Sequence, residues 1–131
     1  MGQLIVQKYG GSSVADPEKI KNVARRVSES ARLGHRMVVV VSAMGKTTDG
    51  LLALAAAVTR TPDPREMDMI LSTGEQVTIG LLAMALQGLG HPACSFTGAQ
   101  VGFVTDGAQV LVAAVGAVER DGVRGGHRAL T

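Results

Sequence analysis

Five consecutive apolar residues, Met37-Val38-Val39-Val40-Val41, show no polar alternation. A strand with one wet face alternates apolar and polar side chains, so an unbroken β-branched run reads as a parallel strand buried on both faces. Parallel strands need a crossover between them, and the residues upstream supply one. Leu4-Ile5-Val6 reads as a first buried strand. Asp16-Pro17-Glu18 has the form of a helix start, with Asp16 as N-cap and Pro17 in the first helical position. Ile20, Val23, Ala24, Val27 and Ala31 follow at helical spacing as one apolar stripe, and Gly34 is placed to end the helix. Strand, helix and strand make a βαβ unit. The fold class is therefore α/β, an open, mainly parallel sheet sandwiched by helices.

Ligands of such sheets collect outside the C-terminal ends of the strands, and two glycine-containing loops leave those ends here. The first is Lys8-Tyr9-Gly10-Gly11-Ser12-Ser13. Paired glycines permit unusual backbone angles and bring N–H groups close to an anion, Lys8 adds a point charge, and two hydroxyls follow. A tight strand-to-helix turn would use the same residues, so phosphate binding and simple turning stand level on local grounds. The second loop, Ser42-Ala43-Met44-Gly45-Lys46-Thr47-Thr48-Asp49-Gly50, leaves the Val-rich strand. Gly45-Lys46-Thr47 is not a Walker loop, because that pattern needs glycine at position 40, where Val40 stands inside the strand. A G-x-G-x-x-G fingerprint is also missing after the first strand.

Further along, Leu51 to Val58 reads as a helix and Thr61-Pro62-Asp63-Pro64 as a break. A short helix over Glu66–Leu71 is punctuated by Ser72-Thr73-Gly74, and a largely buried helix runs from Glu75 to Leu89 until Gly90 ends it. Ala93 to Phe96 and Val101 to Val104 are strand candidates. Val110 to Val118 suits a strand or a poor helix, and Gly122 to Thr131 reads as coil.

Within the second loop, Ser42, Thr47 and Thr48 offer hydroxyls suited to orienting a small polar substrate, though Ser and Thr also cap helices. Glu75, at the expected start of its helix, faces either a ligand or its own helix dipole. The site residues single themselves out by falling together at turns on one edge of the sheet.

Composition narrows the partners. Aromatic residues make up 2% of the 131, which weakens a single-stranded nucleic-acid reading, since such binding leans on aromatic stacking platforms. A net charge of +2 favours no polyanion. One cysteine, Cys94, excludes an intrachain disulfide and a multi-cysteine metal site and reads as core filler. His35, His91 and His127 lack metal-ligand spacing and default to the surface. The N-terminus has no signal-peptide form and the apolar runs fall short of a membrane span, so a soluble cytoplasmic protein is expected, without nucleic acid or membrane partner.

Four blocks then carry a resemblance: Lys8-Tyr9-Gly10-Gly11-Ser12-Ser13, Ser42-Ala43-Met44-Gly45, Thr47-Thr48-Asp49 and Ser72-Thr73-Gly74-Glu75-Gln76. In order, spacing and wording they resemble the N-terminal half of an aspartokinase, within the amino-acid kinase superfamily. The similarity continues through Ser95-Phe96-Thr97-Gly98 and Gly102-Phe103-Val104-Thr105-Asp106. It implies transfer of the ATP γ-phosphoryl group to the side-chain carboxylate of L-aspartate, the entry to lysine, threonine and methionine synthesis. Carried over by position, it implies that Lys8 is catalytic and contacts the ATP phosphates with Gly10, Gly11 and Ser12. Ser42 and Thr48 match aspartate-contacting positions, Thr48 more closely than Thr47, and Glu75 would meet the substrate ammonium. Mg²⁺ would be bound through ATP rather than by a protein metal site.

The family continues with a Gly-Arg-Gly-Gly-Ser-Asp segment, an adenine-binding region and regulatory domains, none of which this sequence contains. Residues 1–107 correspond to the N-terminal part of the kinase domain, and 108–131 form a divergent tail where the match is lost. Two readings follow: an aspartokinase whose isolated chain turns over weakly or not at all, and a non-catalytic α/β fragment or anion-binding module. An incomplete sheet exposes an edge and apolar surface, which suits a homo-oligomer or a complementing fragment.

Overall fold

The computed structural model describes residues 2–98, 100–101 and 114–118, the last as a backbone strand. Their order is β1 (Leu4–Tyr9), a 3₁₀ turn (Gly11–Val14), α1 (Pro17–Arg32), β2 (Arg36–Val41), α2 (Thr47–Val58), α3 (Pro64–Gly88), β3 (Ala93–Phe96) and β4 (Ala114–Val118). The class is α/β with an open sheet, as the sequence implies. Strand order is β1-β2-β4-β3. β1 and β2 pair in parallel, from Leu4 opposite Arg36 to Tyr9 opposite Val41. β4 lies between β2 and β3, antiparallel to both, with Gly116 opposite Val39 on one side and Ser95 on the other. β1, β2 and β3 thus share a direction and β4 runs against them.

α1 forms where its start signals place it. The Asp16 carboxylate accepts from the Lys19 amide at 2.9 Å, and Pro17 opens the helix. Gly34 follows the last turn at φ 92°, the left-handed region that favours glycine. Ile20, Val23, Ala24 and Val27 are buried with Met37, Val39 and Val41 of β2 and Ile79, Leu82 and Leu86 of α3. This core lies on one face of the sheet, and β1 turns Ile5 and Tyr9 toward it.

The opposite face corrects the expectation that both strands are fully buried. Leu4 and Val6 are 57% and 64% exposed, and Val38 and Val40 are half-buried. Among the described residues, α1 and α3 pack together on the core side, which leaves this second apolar face open.

Two helix boundaries also differ from expectation. α2 begins at Thr47 rather than Leu51 and buries only Ala55. α3 runs unbroken for 25 residues, so Ser72-Thr73-Gly74 does not divide it. The Ser72 and Thr73 hydroxyls donate to the carbonyls of Met69 and Ile70, at 2.9 and 2.6 Å, inside the same helix. Their capacity to compete with the backbone is spent locally, and a buried stripe from Leu71 to Leu86 outweighs the poor helix propensity of one glycine. Made continuous, α3 is long and apolar enough by length and composition to cross a membrane, which the divided sequence reading does not anticipate. Here its apolar stripe lies in the core. Pro64 and the Asp63 cap begin the helix, and Gly90, at φ 87°, lies in the turn that ends it.

Val101 lies in a turn; the remainder of the 101–104 strand candidate falls outside the described residues, as do His127 and Gly122–Thr131. The Val110–Val118 alternative resolves as a strand over Ala114–Val118.

Candidate functional site

Parallel pairing of β1 and β2 puts their C-terminal ends side by side, and backbone hydrogen bonds join the two loops that leave them. The Ser42 amide donates to the Tyr9 carbonyl at 3.3 Å, and the Gly45 amide to the Gly11 carbonyl at 3.0 Å. The two loops are therefore joined through their backbones.

The glycines serve this junction in different ways. A Cβ on Gly11 would stand 2.9 Å from the Ala43 carbonyl oxygen, which backbone cannot tolerate, so Gly11 is required by close approach. Gly45 has φ 50° and packs against Ala15. Gly10 has φ −76° and open space where a Cβ would point. The Gly10-Gly11 pair takes no left-handed angle; the left-handed glycine of the junction is Gly45.

Strand alternation decides where the charged residue goes. Ile5, Gln7 and Tyr9 turn toward the core face, so Lys8 shares the open face with Leu4 and Val6 and is exposed. Its ammonium makes no hydrogen bond or ion pair among the described residues. Tyr9 donates to the Gln7 amide oxygen at 3.0 Å, and burial pushes its phenol above the ordinary value while nearby Arg26 pulls the other way. Ser12 is exposed in the 3₁₀ turn.

The head of α2 brings up the second group. Ser42 and Thr48 are half-buried, and neither hydroxyl bonds to another described residue. Lys46 occupies the N-cap position without a side-chain hydrogen bond, so Ser42, Thr47 and Thr48 do not cap the helix. The Thr47 amide donates to the Met44 carbonyl at 2.9 Å, while the Thr48 and Asp49 amides that follow have no side-chain cap and stand at the positive end of the helix dipole.

Glu75 sits in the middle of α3, not at a helix start. The helix-dipole explanation for this carboxylate therefore falls away. Glu75 is 7% exposed and makes no hydrogen bond or ion pair among the described residues, and desolvation pushes its pKa above the ordinary value. α3 meets the second loop at Gly74, whose Cα faces Ala43 and Thr47. The structure thus joins the Lys8 loop to the Ser42–Thr48 loop directly, and α3 to the latter through Gly74.

A model of the amino acid kinase family matches residues 3–125. The chain belongs to the amino acid kinase family. Within that family it is similar to the aspartokinase of Mycolicibacterium smegmatis, 58% identical over 104 residues, and to aspartokinase 2 of Bacillus subtilis, 58% identical over 103. Each match covers 79% of this chain and 25% of the relative, so the chain spans about a quarter of the length of the curated relatives it matches. The crystal structure of aspartate kinase from Synechocystis superposes with a TM-score of 0.72 at 57% identity, covering 74% of this chain and 17% of that one.

Two contributors to the loop junction escape a sequence reading. Gly74 looks like punctuation and Gly45 like a failed Walker glycine, yet both shape the junction. The available signal for Gly74 is a glycine inside an otherwise helical pattern, which marks close packing as readily as a break.

Other polar groups lie apart from the junction. His91, half-buried rather than on the surface, is 2.7 Å from the buried Ser28 hydroxyl and ties the α3–β3 turn to α1. His35 accepts from the Gln3 amide at 3.1 Å. Among the described residues, no group of three His, Cys, Asp or Glu side chains could hold a metal ion.

Proposed function

We propose that the chain carries the phosphate-facing and aspartate-binding part of an aspartate kinase. The Gly45–Gly11 hydrogen bond carries the reading, since it makes the phosphate loop and the hydroxyl loop one structure. Identity near 58% to aspartokinases supports the choice of substrate.

In this reading Lys8, Gly10, Gly11 and Ser12 receive the ATP phosphates, and Ser42, Thr48 and Glu75 receive aspartate. The buried Glu75 carboxylate pairs with the substrate ammonium, while the hydroxyls and the open head of α2 suit its carboxylates. A side-chain carboxylate oxygen of aspartate attacks the γ-phosphorus, the bond from that phosphorus to the bridging oxygen breaks, and ADP leaves with the electron pair. The nucleophile is already ionised at neutral pH, so no general base is required. Catalysis is alignment and charge neutralisation. Exposed, unpaired Lys8 and the accessible loop fit a polyphosphate that carries Mg²⁺, which supplies further charge neutralisation when bound. The reading places the protein in the cytoplasm, acting on ATP and aspartate without nucleic acid or membrane. A second copy or complementing fragment would lie against the open sheet face.

The quarter-length coverage favours a second reading, a binding module without turnover. ATP-dependent formation of aspartyl hydroxamate, with hydroxylamine trapping the acyl phosphate, separates the two. Turnover abolished by Lys8→Ala supports the kinase reading, and no turnover at high protein concentration supports the module.

A further inference from the structure

α3 contains three glycines short of its end cap, and their surroundings differ. A Cβ on Gly80 or Gly88 would meet nothing within 4 Å. A Cβ on Gly74 would stand 3.1 Å from the Ala43 Cβ, 3.2 Å from the Thr47 Cγ2 and 3.5 Å from the Leu51 Cδ1. At Gly74 α3 therefore packs closely against the loop leaving β2 and the head of α2. Glycine inside a helix is less stable than alanine, and of these three glycines Gly74 is the one whose missing side chain permits a close approach.

The residues on either side of this contact give it its consequence. Glu75 is next to Gly74 on the buried stripe of α3, and Thr48 is next to Thr47 in the first turn of α2. Ser42 precedes Ala43. Each of the three proposed aspartate contacts is thus the chain neighbour of a residue in the Gly74 packing contact.

We propose that Gly74 is a positioning residue: its missing side chain sets how deeply α3 seats on the Ala43–Thr47 turn, and so fixes Glu75 relative to Ser42 and Thr48. The proposal rests on the aspartate-site reading above. An added methyl requires Ala43 and Thr47 to give way by a few tenths of an ångström, and in this proposal the helix and loop move apart to allow it. Small misplacements of binding groups weaken recognition steeply.

The experiment compares Gly74→Ala with Gly80→Ala in the whole chain, using backbone amide NMR, L-aspartate titration and thermal melting. Gly80→Ala is expected to raise the melting temperature and leave the Ser42, Thr48 and Glu75 amides and aspartate affinity unchanged. Gly74→Ala is expected to shift those three amides and weaken aspartate binding about tenfold, on the order expected for a displaced binding group, with the fold retained. Unmoved amides in Gly74→Ala overturn the proposal whether or not the chain binds aspartate. Moved amides with unweakened binding overturn it as well. A wild-type chain that binds no aspartate defeats the aspartate-site reading instead, and the amide comparison then still decides whether Gly74 sets the spacing.

Discussion

The Gly45 amide donates to the Gly11 carbonyl across 3.0 Å, and this bond ties the loop after β1 to the loop after β2. Sheet pairing ends at Tyr9 and Val41, so the bond extends contact between the two strands into the loops that leave them. It also brings Gly11 so near the Ala43 carbonyl that only a hydrogen fits on its Cα.

The two adjacent glycines should therefore respond oppositely to alanine. Gly11→Ala must displace backbone and is expected to cost about 1–3 kcal/mol. Gly10→Ala adds a methyl into open space at φ −76°, and reduced freedom of the unfolded chain should stabilise by about 0.4–1 kcal/mol. Urea denaturation of the two variants checks this. Equal effects would mean that the loops do not meet as described.

Glu75 links stability to pH. Its carboxyl titrates above the ordinary 4.5 in the folded chain because burial disfavours the charged form. Between the unfolded and folded values the native state holds more protons than the unfolded one, so stability falls as pH rises through that window. Below both values the group is protonated in both states and contributes nothing. Glu75→Gln is accordingly expected to melt at the wild-type temperature in acid below the ordinary carboxylate range, and above it at pH 7. On the proposed aspartate-site reading, the same substitution should also weaken aspartate binding. A melting temperature lowered at pH 7 would show that the carboxylate is stabilised by its surroundings.

Much of this arrangement is legible in the sequence where the causes are local. The Val38–Val41 run, the Asp16-Pro17 cap and the Ile20–Val27 spacing each act within a few residues, and each element forms where they place it. Misreadings arise where distant packing decides. Ser72-Thr73-Gly74 has the composition of a turn, but core burial on both sides carries the helix through it. Leu4 and Val6 have the composition of a buried strand, but burial depends on what covers the sheet. Gly10 and Gly11 are indistinguishable in sequence; only the position of Ala43 separates them. For Glu75 the sequence suggests a helix start, and the structure sets it mid-helix, where the dipole argument does not apply.

β4 gives a further prediction. Its residues, Ala114–Val118, come from the segment beyond 107, yet they pair with both β2 and β3. A chain ending at Gly107 leaves β3 without its sheet partner and β2 with one free edge. Circular dichroism should show loss of the cooperative thermal transition for that shortened chain. A transition as sharp as in the whole chain would mean that β4 contributes little to the fold.

The central claim is that the joined loops and α3 form an aspartate site. Titrating L-aspartate into the isotopically labelled whole chain and following backbone amides tests it most directly. The account predicts saturable shifts centred on Ser42, Thr48 and Glu75, strongly weakened in Glu75→Gln, with the Ser28 and His91 amides unmoved. No shifts at millimolar aspartate, or shifts confined to residues away from the loop junction, would contradict it.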